Sequence, residues 1–272
     1  MKHILFVGLY PNPVEIYQNI FFQNLIFAIR DEGYRCTVIA PVSITKYKKH
    51  LCDIPKKTIH YTSLGNDVEV YYPRTVSFSS KKIGRLRLYR LTEWAFRKSA
   101  SRCAKQILNV DAVYGHFLLR GGLTALEIAR KKKVEGYIAY GECSFKSEVA
   151  IPYGKILKKQ LNGLAGIITV SSKNKKELLS NLDISKEKIL LAPNSIDDRL
   201  FRPIDRFEAE QKLGLSSTNS FVVGFVGGFI ERKGDKRVLC AINQLENVEG
   251  MFAGKGKDVP QGEKVRFCKA LQ

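Results

Sequence analysis

The sequence predicts an α/β chain: a doubly wound, mainly parallel sheet followed by the start of a second unit of the same kind. Three observations carry this. Short apolar runs rich in Val, Ile and Phe alternate with segments whose apolar residues recur at helical spacing. The alternation repeats along the chain, the pattern of βαβ crossovers that set parallel strands side by side. It is interrupted once, over residues 198–220, by proline and a Ser/Thr/Asn cluster, and then restarts. The expected organisation is a Rossmann-like domain over 1–200, a connector over 201–220 and the beginning of a second Rossmann-like domain over 221–272.

The elements follow in order. "HILFVG" (3–8) is a bare apolar strand. In "IYQNIFFQNLIFAIRDEG" (16–33), Phe21, Leu25, Ala28 and Ile29 share a helical face, and Gly33 is a natural C-terminal cap. "RCTVIAP" (35–41) is a second strand, ended by proline, and "DVEVYYP" (67–73) a third. "KKIGRLRLYRLTEWAFRK" (81–98) interleaves cations with Leu86, Leu88, Leu91, Trp94 and Phe96, and reads as a basic amphipathic helix. "DAVYGHF" (111–117) and "GYIAYGE" (136–142) are strands bracketing the helical "GGLTALEIARKKK". "AGIITVSS" (165–172) runs into the helix "KNKKELLSNL", with Ser171 or Ser172 as its N-cap. "EKILLAPNSID" (187–197) closes the series; a strand over 221–226, a helix near 235–246 and a strand over 250–254 reopen it.

With 45 Lys and Arg against 26 Asp and Glu, the formal charge is +19. Nucleic acid, an anionic membrane surface and phosphorylated small molecules all suit such a balance. The basic residues are dispersed and no nucleic-acid motif is present, so no nucleic-acid partner is expected. Segment 81–98 favours a membrane surface, through Lys81, Lys82, Arg85, Arg87 and Trp94; a core helix with a charged outer face is the competing reading. The six cysteines lack Cys-x-x-Cys spacing and neighbouring histidines, so reduced thiols and no metal site are expected.

Two familiar nucleotide motifs are excluded. A dinucleotide fold wants Gly-x-Gly-x-x-Gly after the first strand, where this chain has "VGLYPNP". A P-loop wants a Lys-Ser/Thr pair, whereas from Gly227 the sequence runs "GGFIERKGD". What remains is a glycine turn at Gly227 and Gly228, two cations at Arg232 and Lys233, and Gly234 ahead of a helix. Backbone amides, cations and a helix N-terminus together suit a phosphate; a plain turn with two surface cations fits the residues equally. His116 sits just past a strand end, where α/β sheets place ligands. Tyr140, Gly141 and Glu142 end the neighbouring strand and are expected to line the same crevice.

Taken in order, "ILFVGLYPNP", "GYRCTVIAPV", "VYGHF", "GIITVSS", "APNSIDDRLFRP" and "VGGFIERKG" resemble the bacterial retaining GT-B glycosyltransferases of the family 4 type, which assemble polysaccharide and lipopolysaccharide. The resemblance spans nearly the whole chain. It implies transfer of a sugar, with retention, from a nucleotide-sugar donor to a lipid-linked or saccharide acceptor. The donor is a co-substrate, and no other cofactor is implied. It further implies an acceptor-binding first domain, a cytoplasmic enzyme peripheral at the inner face of the cell membrane, Lys233 on the donor diphosphate and His116 at the transferred sugar. The chain departs from the family pattern at several points. Gly228 stands where a cation is usual, Tyr140 where histidine is usual, Ser195 replaces a glycine, and the first turn lacks Gly-Gly. The donor-gripping Glu-x7-Glu motif would lie beyond residue 272, so the second domain is expected to be cut short. A noncatalytic acceptor- or partner-binding module, paired with a separate donor-domain chain, is the alternative.

Overall fold

The computed structural model describes residues 1–78, 82–83, 86–142, 145, 157, 160–161, 163–198 and 201–270. They fall into two compact units, Met1–Ser195 and Ile196–Gln272.

The first unit is built on an eight-stranded sheet. Its strands are β1 (His3–Val7), β2 (Arg35–Ile39), β4 (Lys57–Tyr61), β5 (Asp67–Tyr71), β9 (Ala112–Gly115), β10 (Glu135–Tyr140), β11 (Leu164–Thr169) and β12 (Ile189–Leu191). Two-residue pairs lie outside it: β3 (Val42–Ser43) with β6 (Arg74–Thr75), and β7 (Lys82–Ile83) with β8 (Leu86–Arg87). The sheet order is β12-β11-β10-β9-β1-β2-β5-β4, parallel throughout except for the antiparallel edge strand β4. From β1 the chain winds outward through β2 on one side, then returns to β9 on the other. The strand order therefore reverses between β1 and β9, which are direct neighbours in register, Val7 opposite Gly115.

Both faces of β1 are covered, which is why its sequence is bare apolar rather than alternating. Phe6 packs with Phe22 and Ile26 of α1 (Ile20–Asp31). Leu5 and Val7 pack with Phe96 and Ala100 of α2 (Tyr89–Ala104) and with Ala125 and Ile128 of α3 (Leu123–Lys132). These strand side chains are fully buried, each stabilising the fold by about 2–3 kcal/mol relative to exposure. Helix α4 (Ser172–Asn181) follows β11; the Ser171 Oγ accepts from the Asn174 amide at 3.1 Å, so Ser171 is the cap.

Two expectations need correction. The segment 81–98 is not one helix: its first part pairs as β7 and β8, and the helix begins only at Tyr89. Lys81 and Arg85 lie outside the described residues, and Lys82 and Arg87 are described by backbone alone; Trp94, on α2, is 59% exposed. The second correction is β4, which the sequence reading passed over.

The second unit has a three-stranded parallel sheet, β13 (Phe221–Val226), β14 (Val248–Gly254) and β15 (Val265–Ala270), in that order. Helix α5 (Arg206–Lys212) precedes it, and α6 (Asp235–Asn243) joins β13 to β14. Phe229, Ile242 and Phe252 form its small core. Arg266, on β15, ties the unit together: its side chain is 10% exposed and pairs with Glu210 of α5 at 3.1 Å. Among the described residues no helix is long and apolar enough to cross a membrane.

Candidate functional site

Strand order reverses between β1 and β9, the point at whose carboxyl ends doubly wound sheets bind ligands, and His116 is the first residue past β9. Its amide donates to the Val7 carbonyl at 3.0 Å, fixing it to the end of β1. The chain then enters a π-helical turn, Phe117–Gly122, with Phe117 at φ 63°. This turn folds back closely: a Cβ at Gly121 would stand 2.2 Å from the His116 carbonyl oxygen. Only glycine permits that approach. The Gly-Gly after His116 thus sets the loop carrying the histidine.

The His116 ring stacks on Phe22 with centroids 4.6 Å apart and meets the ring of Phe117 edge-on at 4.7 Å. Its Nδ1 lies 3.4 Å from the Tyr114 hydroxyl, and among the described residues no partner is recorded for Nε2. Burial in this aromatic nest lowers its pKa to about 4. The imidazole is therefore neutral near pH 7, fit to exchange a hydrogen bond with a ligand rather than to bear charge.

The neighbouring strand end behaves differently from expectation. The Glu142 carboxylate accepts from the Leu118 amide at 2.6 Å and the Gly141 amide at 3.0 Å. It caps the start of the π-turn, supplying an acceptor to a backbone group that would otherwise lack one. Its own carbonyl accepts from the Asn174 side chain at 3.0 Å, linking the turn to α4. Tyr140 does not line the crevice. Its side chain is fully buried in the core between β10, β11 and α4, and its hydroxyl donates to Glu177 at 3.0 Å. As the last residue of β10 it follows the strand's alternation inward, to the core. Gly141 meets only ordinary contacts. Cys143, the next residue but one, lies outside the described residues.

The glycine turn of the second unit lies between β13 and α6. Gly227, at φ 155°, donates to the Ala253 carbonyl at 2.9 Å, and the Phe229 amide to Lys255 at 2.9 Å. The turn is thereby pressed against the exit of β14, so closely that a Cβ at Gly254 would stand 1.8 Å from the Gly227 oxygen. Phe229, 4% exposed, anchors it in the core. Nothing steric requires glycine at 228, where an added Cβ would find its nearest neighbour at 3.6 Å. The Ile230 carbonyl accepts from the Lys233 and Gly234 amides at 2.8 and 3.3 Å. Gly234, at φ 85°, then turns the chain into α6.

Four cations surround this turn. Arg237 pairs with Glu231 at 3.0 Å and Lys236 with Asp258 at 2.8 Å. The side chains of Arg232 and Lys233 are exposed, and no partner is recorded for them among the described residues. The first amides of α6 point out of the helix, as at any helix N-terminus. Exposed cations, the first amides of a helix and a left-handed glycine make an arrangement able to hold a phosphate. The sequence reading missed the next turn, Lys255-Gly256-Lys257, which adds two exposed cations after β14; the spacing "AGKGK" directly after a strand was its available signal.

No protein-family model matches the sequence, and no curated relative matches it. Solved structures do. Anabaena HepE in complex with UDP superposes with a TM-score of 0.58 at 16% identity, over 93% of this chain and 61% of that one. The UDP-GlcNAc 2-epimerase of Methanocaldococcus jannaschii gives 0.56 at 12% identity, over 100% and 74%. The OtsA apo structure gives 0.59 at 10% identity, over 95% and 66%. The chain spans about three fifths of the length of the HepE structures it matches. At these identities the likeness is one of architecture: this α/β chain, with its large and mostly parallel sheet, has the fold class of the GT-B proteins.

Proposed function

We propose that this chain is part of a glycosyltransferase whose second unit holds a nucleotide-sugar by its diphosphate. The observation that carries the reading is the turn 227–234, where the exposed side chains of Arg232 and Lys233, unpaired among the described residues, stand beside a glycine-led helix N-terminus. Support comes from a structure of the same fold class, HepE, which was solved in complex with UDP and glucose. In the reading, Arg232, Lys233 and the α6 amides stabilise the diphosphate as it leaves, an interaction that strengthens as charge develops. His116 serves as a neutral hydrogen-bonding group for the transferred sugar, and Glu142 holds the π-turn that positions it. The finer features follow from the sequence resemblance: retention of configuration, a lipid-linked or saccharide acceptor, surface-polysaccharide synthesis, and a peripheral place at the inner membrane face.

A second reading has its own support, since the fold is shared with UDP-GlcNAc 2-epimerases. Epimerisation needs no acceptor, so incubation with UDP-GlcNAc alone separates the two chemistries. The test of the diphosphate site is calorimetric titration of the full chain with UDP, GDP and CDP. At least one should bind, and Lys233→Ala should weaken it about tenfold or more through loss of a charge-assisted contact. Because Lys233 is exposed, the variant should unfold at the wild-type temperature. If none of the three nucleotides binds, or if Lys233→Ala binds equally well, the proposal fails.

A further inference from the structure

A cavity of about 290 Å³ lies within the first unit, and His116 is not among its lining residues. It sits where the chain leaves β1 at Leu9 and Tyr10, leaves β2 at Ala40 and Pro41, and leaves β6 at Val76. Carboxyl ends of parallel strands are the usual place for a ligand in such a sheet. The volume is near the lower end, about 300 Å³, of small-molecule sites.

Its lining has two characters. Tyr10, Tyr47, Phe78, Tyr89 and Phe96 give it aromatic walls. Between them stand hydroxyl and amide groups: the Ser43 and Ser77 hydroxyls 2.6 Å apart, the Tyr47 hydroxyl, and the Asn12 side chain donating to that hydroxyl at 3.4 Å. Lys46 and Arg120 also line it, and both are already neutralised. Lys46 reaches Glu15 at 2.7 Å, and Glu15 also accepts from the Tyr47 hydroxyl at 2.5 Å. Arg120 pairs with Glu93 at 2.9 Å, a carboxylate only 11% exposed. An anionic ligand would face the Glu15 and Glu93 carboxylates and compete with them for Lys46 and Arg120. An uncharged ring bearing several hydroxyls meets no such penalty, and it matches aromatic faces set among hydroxyl partners.

We infer that this cavity binds one uncharged pyranose unit of the acceptor and discriminates against uronic acids and sugar phosphates; the inference rests on the reading of the first unit as the acceptor side. The discriminating devices are the Lys46–Glu15 and Arg120–Glu93 pairs.

Ligand-observed saturation-transfer NMR on the full chain, without nucleotide, tests it. The probes are the neutral methyl hexosides of glucose, galactose and mannose, with glucuronic acid and glucose 6-phosphate as anionic counterparts. At least one neutral hexoside should bind, more tightly than either anion, and Ser77→Ala should weaken it. Glu15→Gln, at a partly exposed position, frees Lys46 and should raise the affinity for glucuronic acid relative to the hexoside about tenfold. Preference of the wild type for an anion, an unchanged ratio in Glu15→Gln, or no hexoside binding overturns the inference. Calorimetry with UDP, GDP and CDP on the same preparation keeps the failures apart. Nucleotide binding without hexoside binding removes the cavity assignment alone. Hexoside binding without nucleotide binding removes the transferase reading and leaves a saccharide site.

Discussion

Acidification should destabilise the first unit through His116. Burial among Phe22, Tyr114 and Phe117 lowers its pKa from the ordinary 6.5 to about 4. In the unfolded chain the ring takes its proton near pH 6.5, whereas in the folded protein it resists until about pH 4. Between those values the unfolded state binds more protons, so stability is complete above pH 6.5 and falls as the pH drops towards 4. At about 1.4 kcal/mol per pH unit, the full loss is about 3 kcal/mol, most of it present by pH 4.5. His116→Gln, which keeps a polar side chain but cannot titrate, should lose about that much less on the same change. Burial also lowers the pKa of His3 and His60, but these are common to both proteins and cancel in the difference. The chain has a single tryptophan, Trp94, in the first unit, so urea unfolding followed by its fluorescence at pH 7 and pH 4.5 reports that unit. Equal losses in the two proteins, or an NMR titration of His116 centred near 6.5, would refute the buried, neutral imidazole.

Two further outcomes concern the second unit. Gly254→Ala drives a methyl into the Gly227 carbonyl and should cost about 3 kcal/mol, the upper end for overpacking a tight site, while weakening nucleotide binding because the turn is displaced; an unchanged urea midpoint would contradict the observed contact. Glu210 is held at a pKa of about 2, chiefly by its hydrogen bond from Arg206, with Ser217 and Arg266 adding to it. Its contribution is therefore present above about pH 4.5 and lost as the pH falls towards 2. Glu210→Gln should flatten that acid limb in hydrogen exchange of β15, and a limb identical to wild type would show that the network does not hold this strand.

Much of the fold was legible because buried parallel strands advertise themselves. β1, β2, β9, β10 and β11 are apolar runs, and the glycines and capping residues between them mark where helices begin and end. β4 escaped notice because "KTIHY" is an edge strand with alternating, half-exposed residues and two polar side chains facing out. The 81–98 segment misled because its leucines satisfy a helical period although its first part pairs as β7 and β8. The site was legible in part. The position of His116 just past a strand was readable, but its neutrality depends on Phe22, nearly a hundred residues earlier in the chain. Tyr140 and Glu142 sat in the expected place with other work to do, since the direction of a strand-end side chain and the partners of a carboxylate are tertiary facts. The aromatic cavity draws on residues from Leu9 to Arg120, and no local spacing announces it.

The central claim is that the turn at 227–234 holds a diphosphate. Backbone amide shifts of the full chain, recorded while titrating whichever of UDP, GDP and CDP binds tightest, test it most directly. The largest shifts should fall on Gly227 to Arg237, saturate with the calorimetric affinity, and shrink in Lys233→Ala. Shifts that spare this turn while nucleotide binds would contradict it.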